Sequence, residues 1–137
     1  MSFKARIKVR FGDCDPAGLV YYPVIFHYCH VAMEEFFAER CGIGYHALLA
    51  EEALGFPTVK VEAEFFAPLV YGDEAEIEVS VARLGRSSLT LEYNVRRVGS
   101  DHALCARSTQ VHAAMSLTGR ASVEIPAKHR AALAEDA

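Results

Sequence analysis

No two cysteines in this chain stand at a metal-ligand spacing. Cys14, Cys29, Cys41 and Cys105 are scattered without a CxxC pair, which argues against a zinc site and a disulfide scaffold. Cys29, Cys41 and Cys105 read as reduced, packed thiols. Also missing is any run near the roughly 20 apolar residues of a membrane-spanning helix, so no membrane partner is expected. The start, Met1-Ser2-Phe3-Lys4-Ala5-Arg6, is charged and alternating. That is a strand pattern rather than a signal peptide, and a cytoplasmic location is expected. Positive charge is in deficit too: the net charge is −4, where nucleic-acid binding needs a basic footprint. A small basic patch for one phosphorylated ligand remains compatible. No repeat, low-complexity tract or linker interrupts the 137 residues. The length suits a single domain over residues 1–137 with a real hydrophobic core.

What is present has clear periods. From Phe3 to Arg10, apolar Phe3, Ala5, Ile7 and Val9 alternate with basic Lys4, Arg6, Lys8 and Arg10, a strand with one wet face. A loop follows, punctuated by Gly12, Pro16 and Gly18. From about Pro23 to Cys41 the period becomes helical, with Ile25, Cys29, Ala32, Met33, Phe36 and Phe37 at three- and four-residue spacing. Pro23 suits the first turn and Gly42 the C-cap. At 1.5 Å per residue the helix is roughly 28 Å long. Shorter helices are expected over Tyr45–Glu52 and Pro126–Ala134. Thr58–Phe66, Ala75–Leu84, Ser88–Val98 and Ala103–Met115 read as strands, with turns at Gly85-Arg86-Ser87 and Gly99-Ser100-Asp101. Phe65 and Phe66 are expected to pack on the helix. One strand, one long helix and an antiparallel meander make an α+β layout. The sheet should curl around the helix, and its uncovered face calls for a partner. A homo-oligomer, dimer or tetramer, is expected.

The densest chemistry lies in Asp13, Cys14 and Asp15, followed by Pro16-Ala17-Gly18 and Tyr21-Tyr22-Pro23. Here a carboxylate sits just before a helix whose first N–H groups have no helical partner. Such an end polarises a carbonyl that is becoming an oxyanion. The same residues also form turns and caps, and on the pattern alone both readings stay open. Cys14 as a nucleophile would need a His base, and none is placed for it; it reads as packing. Asp13 reads as loop support through hydrogen bonds. His30 and Glu34, four apart, can pair on one helix face. His27 and His30 lack a third ligand, so no metal is expected.

The segment FGDCDPAGLVYYP, followed by an aromatic-rich helix, resembles the 4-hydroxybenzoyl-CoA thioesterase family of hotdog-fold proteins. The likeness extends along nearly the whole chain, through the turn at Gly85-Arg86-Ser87. It implies the hotdog fold, an antiparallel sheet wrapped around one long central helix. It also implies hydrolysis of an acyl-CoA thioester, aromatic or short-chain, without a cofactor. By this resemblance Asp15 is the catalytic carboxylate and the Tyr22 N–H polarises the thioester carbonyl. Asp15 would attack the carbonyl to give a mixed anhydride or act as general base on water; burial beside aromatics would help either route. Gly18, Tyr21 and His30 fall to the substrate side, and Arg86, Ser87 and Ser88 to the phosphates of CoA. Tyr21, Tyr22 and Tyr28 either line an aromatic acyl pocket or belong to the core. Two residues depart from the family pattern: His30 replaces an acidic residue and Ile25 an aromatic one. Both leave the ring substituents of the substrate open. Two rivals are a hotdog hydratase or dehydratase, which needs a His that the Asp13–Tyr22 segment lacks, and a non-catalytic acyl-CoA-binding hotdog protein.

Overall fold

Alternating strands pair into one antiparallel sheet around the apolar helix. In a computed structural model that describes residues 2–135, β1 (Phe3–Lys8), β3 (Thr58–Phe65), β4 (Glu74–Leu84), β5 (Ser88–Arg97) and β6 (Leu104–Ala113) form that sheet. Their spatial order is β1-β4-β5-β6-β3. The period of two is kept where both neighbours are present. Ile77, Val79 and Val81 of β4 and Leu89, Leu91, Tyr93 and Val95 of β5 are buried.

Against this face lies α1 (Tyr22–Cys41). All six positions of its expected apolar stripe are buried, and so is Tyr28. Gly42 ends it in the left-handed region at φ +69°, where a glycine carries no Cβ penalty. Burial pushes the Cys29 thiol up to about 12, which leaves it an inert hydrophobe. Two short helices, α2 (Tyr45–Glu52) and α3 (Ala127–Ala134), match expectation closely. Lys128 Nζ and His129 Nε2 each stand 2.8 Å from the Glu52 carboxylate, tying α3 to α2. Those contacts, Lys128 first, hold the Glu52 carboxyl below its ordinary range. One core runs from Ala5 to Leu133. This is the α+β hotdog arrangement.

Two local expectations need correction, and β3 departs from the burial pattern of its neighbours. The apolar residues of β3 are not buried: Val59, Val61 and Phe65 are 64%, 45% and 51% exposed. Their strand is a sheet edge, and a bulge between Thr58 and Lys60 takes Val59 out of register. Phe65 meets Phe26 of α1 edge-on at 6.1 Å, yet it and Phe66 stay half exposed rather than packed under the helix. The long segment to Met115 also divides. After Ala113, Met115–Ser116 (β7) pairs with Leu54–Gly55 (β2) and Ala121–Ser122 (β8) in a second small sheet.

Candidate active site

The Asp-Pro-Ala-Gly run is a turn before it is anything else. The Gly18 N–H donates to the Asp15 carbonyl at 2.9 Å, and the Asp15 N–H donates to the Leu19 carbonyl at 2.8 Å. Pro16 supplies the fixed φ favoured at the second position of such a turn. Gly18 takes φ +85°, which a side chain would resist. Asp15 Oδ1 accepts the Ala17 N–H at 2.9 Å, the local bond aspartate makes in turns. Asp15 Oδ2 accepts no bond among the described residues. One oxygen thus holds the turn while the other is left open.

The helix start presents the second group. Pro23, the second residue of α1, has no N–H, and the Val24 N–H is taken by the Tyr21 carbonyl at 2.8 Å. The Tyr22 N–H has no acceptor among the described residues. It is therefore the one free donor in the first three residues of a 20-residue helix, and the helix dipole adds partial positive charge there. Asp15 and Tyr22 line the same hollow of about 460 Å³, with Tyr21, Ile25, Phe65 and Phe66 among its walls. A residue with a free carboxylate oxygen and one with an unpaired helix N–H, lining one hollow, suit attack on, or hydration of, a polarised carbonyl.

Asp13 anchors the assembly, as expected. Its Oδ2 accepts the Arg10 N–H at 3.0 Å and the Tyr28 hydroxyl at 2.6 Å. Burial, then Asp13, pushes the Tyr28 hydroxyl well above the ordinary phenol range. Tyr28 therefore belongs to the core with its hydroxyl on the loop, and does not line the hollow. Cys14 is half-buried with only a weak sulfur contact to the Arg10 carbonyl.

Other expected residues lie elsewhere in the single chain. Gly18 lines a different hollow, which it shares with Asp15, Phe11 and Tyr71; the exposed rings of Phe11 and Tyr71 meet edge-on at 5.9 Å. His30 is about 12 Å along the helix from Tyr22. It pairs with Glu34 at 2.8 Å and lines a separate hollow of about 440 Å³ with Tyr45, Leu49 and Phe56. Arg86 is exposed and reaches Glu124 at 3.4 Å. Ser87 and Ser88 serve their turn through backbone bonds from Ala114 and Gly85. None of these lines the hollow that Asp15 shares with Tyr22. Arg130, which the sequence did not single out, braces the turn by donating to the Gly85 and Arg86 carbonyls at 2.8 Å each. Among the described residues no cluster of His, Cys, Asp or Glu could hold a metal ion, and no helix is long and apolar enough to cross a membrane.

Comparison with known proteins places the chain in a family. The profile of the thioesterase-like superfamily matches residues 9–133. A 1,4-dihydroxy-2-naphthoyl-CoA hydrolase of Thermosynechococcus vestitus is 30% identical over 118 residues, covering 86% of this chain and 79% of the relative. The solved 4-hydroxybenzoyl-CoA thioesterase of Pseudomonas sp. strain CBS-3 superposes with TM-score 0.87 at 27% identity, covering 96% of this chain and 98% of that one. The Dynemicin thioesterase, solved in a study of polyene binding, superposes with TM-score 0.89 at 29% identity, covering 99% and 97%. The chain belongs to the thioesterase-like superfamily, and the expected hotdog fold and thioester-hydrolase class are both borne out.

Proposed function

We propose that this thioesterase-like superfamily member hydrolyses an aromatic acyl-CoA thioester, with Asp15 as the catalytic carboxylate and the Tyr22 N–H as the carbonyl-polarising group. The observation that carries the assignment is that Asp15, with one carboxylate oxygen left free, lines the same hollow as Tyr22, whose N–H at the helix start is unpaired. When Oδ2 attacks the carbonyl carbon, negative charge grows on the carbonyl oxygen, toward a donor that is already oriented. The thiolate of CoA then leaves, and water hydrolyses the mixed anhydride to release the acid and restore Asp15. The alternative has Oδ2 take a proton from the attacking water. Both routes use the same two groups.

The aromatic preference is supported by the rings of Tyr21, Tyr22, Phe65 and Phe66 around the hollow. It is also supported by relatives named for naphthoyl and hydroxybenzoyl substrates. We assign His30 to the acyl side and Arg86, Ser87 and Ser88 to the CoA phosphates, each supplied by a second copy. The exposed apolar edge of β3 supports such an oligomer. The test is Asp15→Asn assayed by thiol release on aroyl-, short-chain and long-chain acyl-CoA. We expect turnover, fastest on aroyl-CoA in the native protein, to fall roughly 10²- to 10⁴-fold while CoA still binds. Hydrolysis retained in the variant would remove Asp15 from the mechanism. If the native protein bound CoA but turned over none of the panel, the non-catalytic binding reading would lead.

A further inference from the structure

We propose that Asp13 and Tyr28 form the positioning pair that sets the Asp15 carboxylate against the Tyr22 N–H, an inference that rests on the reading of Asp15 above. The hydrogen bonds of Asp15 all stay within its own turn, to Ala17, Gly18 and Leu19. None reaches α1, although the chemistry needs Asp15 and the first residue of α1 in fixed relation. Asp13 makes that connection. Its carbonyl accepts the Tyr21 N–H at 3.0 Å, and its Oδ2 accepts the Tyr28 hydroxyl at 2.6 Å. On the loop side its N–H donates to the Arg10 carbonyl at 3.0 Å, and the same Oδ2 accepts the Arg10 N–H at 3.0 Å.

The two helix-side partners are seven residues apart, about 10 Å along the axis, and the Tyr28 side chain reaches back so that both bonds end on Asp13, one on its carbonyl and one on its Oδ2. Bonds from two levels of the helix to two different atoms of Asp13 constrain orientation as well as distance. One of the partners, Tyr21, directly precedes the residue whose N–H is to meet the carbonyl, and Asp13 itself is two residues from Asp15. The Tyr21 anchor is a backbone bond that any residue could make, so the side-chain information lies in Tyr28. Its bond length falls in the short, charge-assisted range. The ring is 2% exposed, and its raised hydroxyl stays a protonated donor across the working pH range.

Near-attack geometry is sensitive, since a displacement of about 1 Å costs on the order of a hundredfold in rate. Tyr28→Phe deletes one hydroxyl and keeps the ring. We expect kcat on the best acyl-CoA substrate to fall about tenfold or more, with KM within about twofold of native because the walls of the hollow are untouched. Asp13→Asn keeps an oxygen to accept from Tyr28 and Arg10, so it should recover most of the kcat lost in Asp13→Ala. Adding Tyr28→Phe to Asp13→Ala should lower kcat no further, the mark of two groups acting as one. If Asp13→Ala does not fold, Tyr28→Phe and Asp13→Asn carry the test, with thermal unfolding measured on each sample. An unchanged kcat in Tyr28→Phe overturns the proposal, as does a fall in kcat matched by an equal rise in KM. Hydrolysis surviving in Asp15→Asn would sink the reading of Asp15. Hydrolysis lost there but intact in Tyr28→Phe would sink the pair alone.

Discussion

Acid should destabilise this fold through a single histidine remote from Asp15. His112, on β6, is 1% exposed. Its Nε2 lies 2.9 Å from the Tyr93 hydroxyl and its Nδ1 3.0 Å from Thr58 Oγ1. A neutral imidazole donates through one nitrogen and accepts through the other, and both hydroxyls can play either part. Protonation would leave those bonds possible but place a charge in the core. Burial first, and then His30, lowers the His112 pKa from 6.5 to about 4. Between those values the unfolded chain binds the proton and the folded one does not, so stability falls as pH falls. The full gap is worth about 3 kcal/mol below both values, at about 1.4 kcal/mol per pH unit. Between pH 7 and pH 5 the same linkage predicts a loss of about 2 kcal/mol. Urea titrations at the two pH values measure it, with the slope m checked for constancy. Other groups titrate over this range, so the decisive quantity is the difference between the native protein and His112→Asn. The native protein should hold its advantage at pH 7 and lose about 2 kcal/mol of it by pH 5. An advantage equal at both pH values, within about 0.5 kcal/mol, would refute the argument.

The remaining predictions follow from the turn and the sheet edge. Gly18→Ala meets no atom within 4 Å of its new Cβ but must hold φ +85°, so it should cost about 1–2 kcal/mol and lower turnover by loosening the Asp15 turn. Unchanged thermal unfolding would contradict this. Val61→Lys puts a charge on the exposed edge strand; if the proposed oligomer forms through β3, this should shift the mass in light scattering toward the monomer, whereas a mass equal to the native protein's would remove β3 from that proposal.

The sequence made the fold legible wherever a period was long enough to be read. The α1 stripe from Ile25 to Phe37 repeats over several turns, and every position is buried as its spacing implies. On β3 the period is equally clean, yet alternation reports which side chains share a face, not whether anything covers it. That depends on the strand's place in the sheet, and β3 is at the edge. The second small sheet was invisible for a simpler reason, since strands of two residues hold no period at all. Within the site, Asp13 and Tyr28 are 15 residues apart on a loop and a helix, and no local rule joins them. The Tyr93–His112 contact depends on how β5 and β6 are registered. A signal was nevertheless present, because Ser108, Gln110 and His112 put polar groups at three successive inward positions of β6. Buried polar groups need partners, and that row could have been singled out.

Asp15 itself shows why local chemistry left two readings open. A turn-forming aspartate and a catalytic carboxylate look like rivals only if the side chain is treated as one group. It has two oxygens, and the turn occupies Oδ1 alone. Fixing that oxygen immobilises the other, which would otherwise sample several rotamers in a half-exposed loop. Reactions that depend on near-attack geometry gain most from a group whose freedom is already lost. On the proposed reading of Asp15 the turn would be part of the chemistry: Pro16 and Gly18 shape the backbone, the Ala17 N–H holds Oδ1, and Oδ2 is left unbonded. The helix repeats this economy, because Pro23 and the Val24 bond leave only the Tyr22 N–H unpaired. In both places ordinary structural requirements are met by all but one atom of a set, and the two residues that carry those atoms line the same hollow.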